Sequence, residues 1–196
     1  KNAFSVYAIR NYVNQMVRIH GEFEIIQKSL AVLVGSEADA ALMWEKISTL
    51  ALKSPFQVQE LATATKQMAA YRIETDQLYR KTKMLADISA GLGVQLSRLI
   101  LAYGQVKAAN FLRGTELRQF SEAGIDMLGQ LSLHFSQLEE RAVSVAEVFD
   151  RISKRQVLFE DVDKVLQNVT SVGGAFYKMQ EEQAKTIKGQ ISNLKD

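Results

Sequence analysis

Residues 87–125 read DISAGLGVQLSRLILAYGQVKAANFLRGTELRQFSEAGI, and they decide the fold class. Leu96, Leu99, Ile100, Tyr103 and Val106 recur at the three- and four-residue spacing that lines up side chains on one helix face. Gly91, Gly114 and Gly124 fall where apolar runs stop, as expected where a helix ends in left-handed backbone. Thr115 is placed to cap a short helix carrying Glu116 to Ala123. Leu112, Leu117, Phe120 and Ile125 are expected to pack inward. Glu116, Arg118, Gln119 and Glu122, with Arg113 beside them, form an exposed polar face that a partner could contact. Gly114 and Gly124 are expected to be left-handed or strained at the two ends.

The helical spacing continues outward. Ala40, Met43, Trp44, Ile47, Leu50 and Ala51 share one face, as do Val145, Val148, Phe149 and Ile152, and again Phe159, Val162, Leu166 and Val169. No convincing strand of alternating apolar and polar residues is present. The chain has a single proline in 196 residues, against an average usage of about 5%, so the commonest helix breaker is nearly absent. The reading is all-α: a compact multi-helix domain with short, glycine-punctuated helices centrally and longer helices at the ends that could project. Helices are expected near 2–20, 22–34, 37–53, 55–71, 75–90, 94–112, 115–123, 126–140, 144–153, 159–169 and 173–194. Ser54, Pro55 and Gln57 have the capping-box arrangement, with proline at the first helical position and Phe56 after it. Ser144 and Glu147 repeat the box spacing. Gly35 and the pair Gly173-Gly174 supply further stops. The organisation expected is an N-terminal helical segment over 1–74, a central domain over 75–172 and a C-terminal helix over 173–196.

Composition narrows the function classes. Hydrophobic content of 47% and charged content of 23% are globular values. No cysteine is present, which removes disulfides and thiolate metal sites and suits a reducing compartment. A formal net charge of +2 gives no whole-molecule field to attract nucleic acid or an anionic membrane. No apolar run approaches the ~18–20 residues needed to cross a bilayer, and no membrane contact is expected. The chain opens on Lys1, which reads as a piece of a longer protein.

No catalytic constellation emerges. His20 and His134 stand far apart, without a serine or acid in a known order. Glu139-Glu140 and Glu181-Glu182 are adjacent pairs whose side chains diverge on a helix, so they read as solvated faces rather than carboxylate dyads. Asp161 and Asp163 sit near a helix start, where acids favour the macrodipole. Gly91-Leu92-Gly93 has no strand before it and no Gly-Lys-Ser/Thr after it, so it reads as a turn between helices and not a phosphate loop. Asn168-Val169-Thr170 matches a glycosylation sequon. Neither cofactor, metal nor small-molecule substrate is implied. Lys107, Arg113 and Arg118 around a glycine turn leave a helical DNA-binding module as an alternative, weakened by Glu116 and Glu122 on the same helix. At the C-terminus Phe176, Met179, Ile187, Ile191 and Leu194 form a thin apolar line, the pattern of a helix that pairs with another in the same chain or a neighbour.

Three separated segments also resemble one family. Leu112-Arg113-Gly114-Thr115-Glu116-Leu117-Arg118-Gln119-Phe120 with Glu122-Ala123-Gly124-Ile125 is similar to the core of the tail tape-measure proteins of long-tailed bacteriophages and prophages. Ala51-Leu52-Lys53-Ser54-Pro55-Phe56 with Glu60-Leu61 resembles an upstream segment of that family. Gly173-Gly174-Ala175-Phe176-Tyr177, Met179-Gln180, Thr186 and Lys188 to Leu194 resemble a downstream one. The resemblance implies a structural segment of a long molecule around which the tail tube polymerises and whose length fixes the tail length. It further implies a virion location, host cytoplasm during assembly, and contacts with tail tube, tail assembly chaperones or further copies of itself. Some family members carry cell-wall-cleaving domains, which makes a cell-wall-acting tail component a second alternative; nothing in this chain resembles such a domain.

Overall fold

In the computed structural model, residues 21–193 are described, with side chains described as far as residue 186. The expected helix over 2–20, His20, Leu194 and the side chains of Ile187 and Ile191 lie outside that range. The described chain is all-α. Helix α1 occupies residues 21–34, followed by α2 (Glu37–Ala51), α3 (Val58–Ala70), α4 (Thr75–Leu92), α5 (Leu96–Ala109), α6 (Gly114–Glu122), α7 (Met127–Leu138), α8 (Val145–Ser153), α9 (Phe159–Thr170) and α10 (Met179–Asn193).

Local chemistry accounts for several of these starts. The Ser36 hydroxyl accepts from the Asp39 amide at 3.1 Å, Asp126 accepts from Gly129 at 3.0 Å, and Ser144 accepts from Glu147 at 3.1 Å. Each satisfies one of the orphan donors of a first turn. At α9 the bond runs the other way, from the Leu158 amide to the Asp161 carboxylate at 2.8 Å. The capping box expected at Ser144 is half made, because the Glu147 carboxylate turns to Arg141 and Arg151 instead of back to the cap.

Several sequence expectations need correction. The Ser54–Gln57 box does not form: Ser54 accepts from the Phe56 amide at 3.2 Å in a tight turn, and α3 begins only at Val58. Phe56, partly buried, packs against the core there. Gly91 lies inside α4, and Gly93 is the left-handed residue that ends it, at φ 66°. What Gly91 provides is room, since a Cβ would sit 2.6 Å from a Phe176 ring carbon. The C-terminal helix starts at Met179, not 173, because residues 171–178 turn back across the end of α9. There the Phe176 amide donates to the Val169 carbonyl at 2.8 Å. Finally, the described parts of the terminal elements pack onto the globule. The Phe23 and Trp44 rings of α1 and α2 meet edge to face at 5.3 Å, and α10 lies along α4.

The core runs continuously from Leu30 to Val169 and crosses residues 74 and 75 without a break. Helix α4 is its axis, touching α2, α3, α5, α9 and α10. Around it Leu61, Met68, Leu78, Leu85, Ile88, Leu99, Ile100, Tyr103 and Phe120 are fully buried. The expected helix to residue 112 ends at Ala109, where Asn110 turns left-handed at φ 63°. Residues 110–112 then pair with 157–159: Leu112 N–H donates to Val157 at 2.8 Å, and Phe159 N–H donates to Asn110 at 3.2 Å. This isolated antiparallel bridge is the nearest approach to a strand among the described residues.

Candidate functional site

The family-like motif forms one corner of the globule, and its residues divide differently from the sequence expectation. Leu112, Leu117, Phe120 and Ile125 are buried. Gly124 closes α6 at φ 90°. Gly114, expected to be left-handed, is instead the first residue of α6, and Thr115 does not cap it. The cap position is Arg113, in extended backbone without a side-chain cap bond. Its guanidinium reaches forward to grip Glu116 with two bonds, Nε to Oε2 at 2.9 Å and Nη2 to Oε1 at 2.6 Å. Glu116 is thereby only 1% exposed, a correction to its expected place on the solvent face. Burying a carboxylate is costly unless it is paired and hydrogen-bonded, and the fork of an arginine meets both needs.

Arg118 and Glu122 are exposed on the outer face. Glu122 lies 3.8 Å from Arg118 and 3.6 Å from Arg98 of α5, distances of loose, solvated pairing. Gln119 is half-buried, and its Oε1 is buried without a partner. Lys107 does not join Arg113 and Arg118 in a basic stripe. It bonds Glu74 at 3.1 Å and lies 4.8 Å above the Phe159 ring.

The other titratable groups hold helices together. Lys81 of α4, only 5% exposed, reaches both Asp163 oxygens at 2.5 Å. Tyr103 of α5 donates to the same carboxylate at 2.8 Å, and Gln167 donates at 2.7 Å. Burial, reinforced by the Asp163 charge, pushes the Tyr103 hydroxyl well above the ordinary phenol range. Between α7 and α8, Arg141 and Arg151 both engage Glu139 and Glu147. Hydrogen bonds from Arg141 and then Arg151 draw the Glu147 carboxyl down to about 2. His134 faces Asp161 at 3.2 Å, while the neighbouring serine hydroxyls are spent on the 143 backbone, Ser132 donating to Val143 O at 2.5 Å and Ser136 accepting from its N–H at 2.9 Å. No group of three or more metal-ligating side chains occurs among the described residues.

At the Gly173-Gly174 turn, Gly173 has φ 86°, and a Cβ on Gly174 would lie 2.5 Å from the Asn168 and Val169 carbonyl oxygens. Beyond it, buried Asp87 of α4 accepts from the Gln180 amide at 3.2 Å and from Lys83 at 2.8 Å. Gln183 donates to the Ala90 carbonyl at 3.1 Å. These bonds seat the first turns of α10 on α4 within the same chain.

A model of the family described as tape measure protein matches residues 14–196, from before the first described helix to the last residue. The chain belongs to the tape measure protein family. Neither the curated proteins nor the solved structures include a match. The match spans all three segments on which the sequence resemblance rested. Membership gives the chain a structural role in a phage tail, and no described helix is long and apolar enough to cross a membrane.

The apolar stripe of α8 in this tape measure segment is only half buried. Phe149 shares its spacing with Val145, Val148 and Ile152, but on α8 Val148 and Ile152 are buried while Val145 and Phe149 face outward, Phe149 being 57% exposed. The only available signal was a stripe four residues wide on a nine-residue helix, more apolar surface than one contact face needs.

Proposed function

We propose that this chain is a compact, globular segment of a tape measure protein that serves tail assembly and tail-length determination through protein–protein contacts, not as the extended ruler itself. The observation carrying the reading is the family match over nearly the whole chain, joined to a continuous core that makes the segment compact rather than rod-like. The candidate partners are tail-tube subunits, tail assembly chaperones and other copies of the same protein, met in the host cytoplasm before the segment is enclosed in the virion.

Contact through the outer face of α6 is supported by Arg118 and Glu122, whose mutual pairing is loose enough for a partner to replace. Glu116 is better understood as the internal counterion of Arg113. Duplex DNA is the weaker partner, since Arg113 and Lys107 are already paired with carboxylates. A hydrolytic role finds no support at His134, which has an acid beside it but no hydroxyl aimed at it.

The test is a phage carrying Arg118→Glu or Glu122→Lys. Both side chains are exposed, so the purified segment should keep its helical spectrum and melting temperature. Fewer intact tails in electron micrographs support the contact surface; wild-type tail yield and length for both variants remove α6 from the reading.

A further inference from the structure

The corner where α6 meets α8 carries a second surface, built from motif residues and from the exposed phenylalanine. Phe111, Gly114, Phe149 and Ile152 line a hollow of about 260 Å³, with Arg113 and Arg155 among the residues around it. Small-molecule sites run at about 300–1,000 Å³, so this one is sized for a single large side chain. Val145 of α8 and Leu158, bridged to Phe111, are also exposed.

The two arginines set the charge of the occupant. Arg155 has no carboxylate partner among the described residues, and its guanidinium rests over the Phe111 ring at 5.3 Å. Arg113 spends two N–H groups on Glu116, which leaves three of a guanidinium's five donors for another acceptor. Both guanidinia are therefore held in place beside an apolar floor before anything binds. Such preorganisation lowers the entropic cost of association. A purely apolar occupant would leave Arg155 uncompensated at the contact; an occupant bearing carboxylate next to its apolar anchor satisfies floor and rim together.

We propose that this hollow docks a segment of another tail protein that presents a large apolar side chain, aromatic or leucine, flanked by Asp or Glu. The proposal rests on the reading that the segment acts through protein contacts, and it names a surface and a partner chemistry for it.

The experiment titrates the ¹⁵N-labelled 196-residue chain with the peptide acetyl-Asp-Glu-Phe-Leu-Glu-amide, with its lysine counterpart acetyl-Lys-Lys-Phe-Leu-Lys-amide, and with a short duplex DNA. Expected are saturable shifts centred on residues 111–114 and 149–155 with the acidic peptide. Affinity should fall about tenfold or more in Phe149→Ser and in Arg155→Gln, with weaker binding of the basic peptide. Both replaced side chains are exposed, and an unchanged spectrum elsewhere shows that the fold survives. No shifts, equal binding of both peptides, shifts indifferent to both variants, or DNA binding more tightly than the acidic peptide would each overturn the proposal. The companion experiment puts Phe149→Ser with Arg155→Gln into the phage beside a deletion of the segment. Normal tails from the double variant with failed assembly in the deletion would defeat this surface alone. Normal tails from both would defeat the underlying reading as well.

Discussion

Asp163→Asn removes the charge on which Lys81, Tyr103 and Gln167 converge from three helices. Lys81 keeps only 5% of its side chain exposed and Asp163 16%, so the ammonium left behind has little water to turn to. Breaking a buried pair by neutralising one partner costs roughly 3–5 kcal/mol, and the residual access of Asp163 places this case near about 3. For a domain of this size each kcal/mol moves the melting temperature by about 2–4 °C, giving a loss of ~6–12 °C. Tyr103→Phe keeps the ring and loses one bond to a charged acceptor, worth about 1.5–3 kcal/mol, so it should melt between parent and Asp163→Asn. Replacing Lys81 by Met and Asp163 by Leu together should cost clearly less than the sum of the two single changes, because neither leaves a stranded charge. Thermal melts of Asp163→Asn, Tyr103→Phe, Lys81→Met, Asp163→Leu and the double variant, followed at 222 nm, give the five values. An Asp163→Asn protein within about 2 °C of the parent, or additive single changes, would refute the claim that this cluster ties α4, α5 and α9.

Phe120 is fully buried, so Phe120→Ala should cost ~3–5 kcal/mol in chemical denaturation; a parent-like midpoint would mean that α6 does not anchor there. Acid should weaken the α7–α8 junction in a definite window. The Glu147 carboxyl is lowered from 4.5 to about 2 by its arginines. Its contribution is therefore complete above about pH 4.5 and is lost as pH falls toward 2, because the unfolded chain binds the proton first. Between pH 5 and 2 the melting temperature of Glu147→Gln should fall less steeply than that of the parent, and parallel slopes would contradict the assignment. At Gly174 a methyl group would collide with the backbone carbonyls of Asn168 and Val169 at 2.5 Å. Gly174→Ala should accordingly speed hydrogen exchange at Phe176 and Gln180 while the amides around Tyr103 stay protected; uniform protection would show that the turn tolerates a side chain.

The fold class was legible because apolar residues such as Leu96, Leu99, Ile100, Tyr103 and Val106 keep the helical period, and all five side chains are buried. Local capping was less legible, since tertiary packing decides between competing turns: Phe56 packs against the core, and α3 begins only at Val58, past Pro55. Glycine spacing alone did not separate a left-handed stop from a close contact, as Gly91 shows with Phe176. Glu116 was unreadable for a different reason. A carboxylate at a polar-looking position goes inward only if a cation follows it, and the Arg113 fork three residues away is visible only in three dimensions. Asp163 is a similar case, with partners 82 and 60 residues distant.

Tails from phage whose gene lacks codons 14–196 in frame show whether a compact segment works in tail assembly. Tail assembly should fail or become sparse, with the segment supplied in trans unable to alter the length of any tails that do form. Abundant tails of unchanged length would contradict a role in assembly. Abundant tails shortened by about 270 Å, the span of residues 14–196 at ~1.5 Å per helical residue, would instead show that the segment serves as extended ruler, against the compact reading.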